Sequence, residues 1–177
     1  QGRIHCLNRR IGGWQGGSAA AVWTLTTTGH RQLTGSTRRQ RPRLLSTGFL
    51  AHSLAVTETR VLITEHAHAT GAVVSVQPEP LCWRSYLDVT GMRVALKPDL
   101  AAMISTPAFT DRYFIEVDRA TENPARVIRK CQQYATYRRL GVEQERHGAF
   151  PLVVWIVPTS QRREQLQRHL AEQERLP

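Results

Sequence analysis

Residues 1–57 contain no aspartate or glutamate, yet they carry eight arginines. A segment with that imbalance attracts a polyanion, most simply nucleic acid. Across all 177 residues, 24 basic side chains face 14 acidic ones, for a formal net charge of +10. Lysine is almost missing, occurring only as Lys97 and Lys130. A bias toward arginine explains scarce lysine but not absent acids. The three cysteines, Cys6, Cys82 and Cys131, are widely spaced and form no CxxC pair. That spacing suggests neither a disulfide framework nor a zinc site, and favours a reducing, cytoplasmic setting. No apolar run approaches the ~18 residues of a membrane-spanning helix, and there is no signal-peptide pattern, so a membrane partner is not expected. The chain opens on Gln1 without an initiator Met, which fits a fragment.

The length suits one buried core with a small appendage. Residues 3–7 and 20–26 read as strands joined by a Gly-rich loop, Gly12 to Gly17. That loop lacks the GK[ST] ending of a phosphate-binding P-loop, so it reads as a hairpin tip, with Arg9 and Arg10 able to reach phosphates. A short helix is expected over 27–33. Residues 34–46 form a polar connector or DNA-contacting arm in which Arg38, Arg39, Arg41 and Arg43 concentrate the charge. Ser46 or Thr47 can cap a long helix to about Thr70, stopped by Gly71. Leu50, Leu54, Val61 and Glu65 make its stripe, widened by Phe49, Val56 and Ile63. Strands follow over 72–76, 92–96 and 100–105, and a closing helix covers 160–174. Residues 151–157 are almost wholly apolar, the pattern of a strand buried on both faces near a sheet centre. This order of elements predicts an α/β fold with one mixed central sheet flanked by helices.

Tyr113 to Arg119 alternates like a half-buried strand. Residues two apart on a strand face the same side, so Glu116 and Asp118 point together, beside Phe114. Two carboxylates on an apolar strand are costly unless compensated. Asp99 follows Pro98 one hairpin earlier and can be brought alongside. Three converging carboxylates suit a hard divalent cation such as Mg²⁺ or Mn²⁺. The plainer alternative has Glu116 and Asp118 facing solvent, paired with Arg112 and Arg119. Asn123-Pro124 starts a helix that runs to Leu140 and ends at Gly141. On it Lys130, Tyr134 and Tyr137 fall at i, i+4 and i+7, bordered by Gln133, as a polar stripe that could line a site. Val127, Ile128, Cys131 and Ala135 make the opposite face, available to pack on the sheet.

Pro98-Asp99, Glu116-Val117-Asp118 and the Gln133 to Tyr137 stretch together resemble the PD-(D/E)-x-K nuclease superfamily. A closer resemblance is to the replication-relaxation family of plasmids and integrative elements. It rests on Leu54 to Glu58, Trp83-Arg84-Ser85, Leu96 to Asp99, Phe114 to Glu122, Lys130 and Tyr134, spanning about residues 48–158. The resemblance implies a winged helix-turn-helix joined to a restriction-endonuclease-like domain. Residues 1–35 would be the wing and last helix of a truncated winged domain, 36–46 a basic linker, and 47–177 the nuclease-like domain. It also implies metal-dependent cleavage or nicking of DNA, with Asp99 and Glu116 as Mg²⁺ or Mn²⁺ ligands. Asp118 becomes a third ligand or base, Lys130 the cation that positions water, Glu58 an outer acid, and Gln133, Tyr134 and Tyr137 the lining. The implied partner is duplex DNA, gripped through its phosphates, together with other replication or transfer proteins. One departure stands out: the nuclease pattern has lysine where this chain has Asp118. Two alternatives therefore stay open, a catalytically inactive nuclease-fold DNA-binding or replication accessory protein, and a protein-interaction module of a replication or conjugation complex.

Overall fold

The computed structural model describes residues 2–11, 20–37, 46–88 and 90–173, with the side chains of 8–11 and 20 left out. The hairpin tip, Arg38, Arg39, Arg41 and Arg43, and the side chains of Arg9 and Arg10 lie outside that description. The chain divides into two compact units, Gln1–Ser53 and Leu54–Pro177.

In the first unit, β1 (Ile4–Ile11) and β2 (Ala20–Leu25) pair antiparallel, and α1 (Thr27–Thr34) follows directly. Thr26 links them. Its hydroxyl accepts from the Gly29 amide at 3.1 Å, capping α1, and donates to the Gly2 carbonyl at 2.9 Å. A Cβ at position 29 would stand 2.0 Å from the Arg3 carbonyl oxygen, so only glycine lets the helix approach β1 this closely.

Helix α2 (Thr47–Ala69) leads into the second unit, its first turn capped by the Ser46 hydroxyl, which accepts from the Phe49 amide. It is followed by β3 (Val73–Pro78), β4 (Arg84–Leu87), β5 (Arg93–Leu96), β6 (Leu100–Ser105), β7 (Thr110–Val117), α3 (Pro124–Arg139), α4 (Val142–His147), β8 (Leu152–Ile156) and α5 (Ser160–Ala171). The central sheet is mixed, in the order β3-β6-β7-β8, antiparallel throughout except for the parallel β7–β8 pair. Strands β4 and β5 form a separate hairpin. Its turn is held by Asp88, whose Oδ1 accepts from the Thr90 and Met92 amides.

Two layers cover the sheet. On one face Ala55, Val56 and Ile63 of α2 pack on Leu100, Ala102, Ile115 and Val117. On the other, Tyr134 and Tyr137 of α3 pack on Ala101 and Phe114, joined by Cys82 and Leu96. The stripe expected on α2 holds in part, since Leu50 is buried and Val56 and Ile63 face inward. Leu54 and Val61 are exposed, and the inward positions are Val56, Thr59, Ile63 and Ala67, at spacings of three and four. Leu54 and Val61 each lie two residues before an inward position, which is over half a turn away. Strand β8 also departs from expectation. It sits at the sheet edge rather than the centre, and Leu152, Val154 and Ile156 are exposed on it. Antiparallel β6 already occupies one side of β7, so the strand returning from α3 can pair only on the outer side. Among the described residues no helix is long and apolar enough to cross a membrane.

Candidate functional site

The register of β6 against β7 pairs Leu100 with Ile115. Carried one residue further, it sets Asp99 opposite Glu116, on the α3 side of the sheet. Both are buried. Asp99 Oδ2 accepts from the Val117 amide at 2.7 Å, which fixes its carboxylate across the two strands. The Cys82 thiol donates to the Pro98 carbonyl at 3.0 Å and holds the preceding turn.

Helix α3 delivers the partners of Glu116. Asn123 caps it by accepting from the Ala125 amide at 3.0 Å, and Pro124 takes the first turn, where no amide is needed. From there Lys130 and Tyr134, one turn apart, lean over the strand end. The Lys130 ammonium donates to Glu116 Oε2 and the Tyr134 hydroxyl to Oε1, each at 2.5 Å. Burial pushes the Glu116 carboxyl up to about 7. The Lys130 charge pulls it down, nearby Asp99 adds to the rise, and the two hydrogen bonds oppose it. Burial and the adjacent Glu116 carboxylate also raise the Tyr134 phenol, keeping it a donor.

Asp118 has a different environment. It follows β7 directly, its amide donating to the Ile156 carbonyl at 2.9 Å. Its Oδ1 accepts from the Ala120 amide at 2.9 Å and its Oδ2 from Arg162 Nε at 2.6 Å. Arg162 stands in the first turn of α5 and also donates to the Glu122 carbonyl at 2.7 Å and Gln165 Oε1 at 2.9 Å. Both side chains are buried. Asp118 thus ties the loop after β7 to α5. The solvent-facing alternative for the acids does not hold, since Glu116 and Asp118 are buried on Lys130 and Arg162 rather than exposed on Arg112 and Arg119.

The remaining candidates are dispersed. Tyr134 and Tyr137 do not form a face opposite the packing residues of α3. They are buried with Val127, Ile128 and Ala135. The reason is that α3 is covered over a wide arc, by the sheet on one side and by α4 and α5 on others. Gln133 is exposed, and so is Glu58, on the helix that covers the opposite sheet face. Lys97 stands 4.4 Å from the centre of the Trp83 ring.

Two residues escaped the sequence pattern, Arg162 and Glu143. Glu143 is buried, and its Oε1 accepts from Arg84 Nε and from the Tyr137 hydroxyl, each at 2.8 Å. Each lies in a polar, charged stretch that reads as an ordinary solvated face. The pairing of Arg84 with Glu143 spans 59 residues, and no local signal marks it.

Mg²⁺ is commonly held through one or two carboxylates and completed by substrate phosphates and water. Asp99 and Glu116, buried and opposed on neighbouring strands, fit such a two-carboxylate site. Both oxygens of Asp118 are occupied, by the Ala120 amide and Arg162 Nε, as both oxygens of Glu116 are by Tyr134 and Lys130. Among the described residues no group of three or more His, Cys, Asp or Glu side chains is placed to hold an ion.

Compared with known proteins, residues 2–153 match the family model described as replication-relaxation. No curated protein and no solved structure matches the chain.

Proposed function

From the chain's membership of the replication-relaxation family, we propose that it acts on the DNA of a mobile element through a restriction-endonuclease-like core that cleaves or nicks phosphodiester bonds. The observation that carries this reading is Lys130. It brings a positive charge from α3 to Glu116, on a strand whose own pattern has Asp118 in place of lysine. Asp99 and Glu116 would hold a Mg²⁺ or Mn²⁺ ion. When bound, such an ion polarises the phosphate and makes water a better nucleophile at neutral pH. Lys130 would orient the attacking water and Tyr134 would keep Glu116 in place. In the first unit, the β1–β2 hairpin and α1 support the reading of a winged-helix remnant. The acid-free segment 1–57 would supply phosphate contacts that position the chain without reading bases.

A second reading, DNA binding without chemistry, is favoured by one feature. Glu116 and Asp118 already have their charges met by Lys130 and Arg162. Supercoiled plasmid separates the two. If the core is active, nicked circles accumulate with Mg²⁺ or Mn²⁺, and not with chelator or with Asp99→Asn. Salt-sensitive plasmid binding with no nicking under any metal leaves the second reading standing and removes the first.

A further inference from the structure

On the sheet face that carries Phe114 lies a cavity of about 220 Å³, lined by residues outside the acid site. The strand register builds its floor: Ser75 pairs with Met103 and Met103 with Arg112, while Gln77 pairs with Ala101 and Ala101 with Phe114. Those six positions share one face. The walls come from Arg84 of β4 and from Glu143 and His147 of α4.

The charge balance of this cavity favours an anion. Its one carboxylate is consumed internally. Glu143 Oε1 takes Arg84 and Tyr137, and Oε2 lies 3.9 Å from His147 Nε2. Arg84 is held rigidly, 5.2 Å from the centre of the Phe114 ring, with Nε on Glu143 and Nη1 on the Cys82 carbonyl at 2.8 Å. Among the described residues its Nη2 has no partner, and the Arg112 side chain makes no hydrogen bond or ion pair. Ser75 and Gln77 are exposed on the edge strand β3, so the cavity opens to solvent at that end, while Ala101, Met103 and Phe114 make its apolar floor. Around that opening the cavity presents Arg112, Gln77 and Ser75 beside a preorganised guanidinium and an imidazole. Planar guanidinium donors with hydroxyl and amide groups around a small volume are the chemistry of tetrahedral oxyanion recognition.

We infer that this cavity is a phosphate-binding site, with Arg84 and Arg112 as its principal donors. The phosphate comes either from a DNA backbone or from a free nucleotide. The site requires neither cleavage nor DNA binding, so its failure is read separately from that of the plasmid experiment.

Calorimetric titration of the full chain with inorganic phosphate, and separately with a duplex oligonucleotide, tests the inference on the parent, Arg112→Gln and Arg112→Lys. The parent should bind phosphate, and Arg112→Gln should weaken it by roughly tenfold, the loss of one charge-assisted hydrogen bond. Arg112→Lys should retain part of the affinity, keeping the charge but losing the planar fork. If DNA is the source, Arg112→Gln also lowers the salt slope of duplex binding by about 0.9. If a free nucleotide is the source, duplex binding is unchanged while the phosphate effect remains. Either result supports the site. A parent that takes up no phosphate overturns it, and so does an affinity that Arg112→Gln leaves unchanged. Should Arg112→Gln fail to fold, shifts of the His147 ring resonances during phosphate titration of the parent decide the matter, and their absence counts against the site.

Discussion

Removing Arg162 tests whether Asp118 is a structural anchor or a free ligand. In Arg162→Met the Asp118 carboxylate, 1% exposed, loses the guanidinium at 2.6 Å, and the Glu122 carbonyl loses its donor. Because both partners are buried, solvent screening does not soften the loss as it does for surface pairs. Breaking a buried pair by removing one partner costs about 3–5 kcal/mol. Set against a total stability of roughly 5–15 kcal/mol, that is a large fraction. With about 3 °C per kcal/mol for a chain of this size, the melting temperature should fall by roughly 10–15 °C. Urea unfolding should show a lower midpoint at unchanged slope. Asp118→Asn in the same background should recover part of the loss, and the double-mutant cycle should give a coupling above about 1 kcal/mol. A loss below about 1 kcal/mol, or strict additivity, would refute the anchor.

Lys130→Met should leave Mn²⁺ uptake largely intact while lowering any cleavage by about 10²–10⁴-fold, whereas Lys97→Met, whose ammonium sits over Trp83, should do far less. Single-turnover plasmid assays beside calorimetry would show it, and equal effects of the two substitutions would count against Lys130. The raised Glu116 carboxyl predicts a pH dependence of stability. The folded state holds this proton up to about 7, against an ordinary value of 4.5 in the unfolded chain. Its contribution is therefore complete below pH 4.5 and is lost as pH rises to about 7. The stability difference between the parent and Glu116→Gln should change over that window and be flat above it, and a difference that is flat throughout would remove the assignment. Replacing Arg38, Arg39, Arg41 and Arg43 with Ala should flatten the salt dependence of duplex binding by about 0.9 slope units for each phosphate no longer neutralised. An unchanged slope makes the segment a spacer.

Local chemistry alone determined most of the element order. Ser46, Asn123-Pro124 and Gly71 mark helix ends because caps and left-handed stops depend on neighbours a few residues away. The alternation of 113–117 marks a strand for the same reason, and Pro98-Asp99 before β6 pointed to an acid beside Glu116. The short helix α4 was missed, since six residues between two glycines carry too little periodicity to be read. Tertiary structure decided what each side chain meets. Lys130 and Tyr134 reach Glu116 only because α3 docks across the end of β7, fourteen and eighteen residues away. Asp118 is captured by Arg162 across forty-four residues, and Arg84 by Glu143 across fifty-nine. An apolar run such as Leu152 to Ile156 encodes a strand but not its place in the sheet, which is set by which edge of β7 is still open. Periodicity reports the side a residue faces. Only the packing of elements remote in sequence determines whether that side holds solvent, a core or an ionic partner.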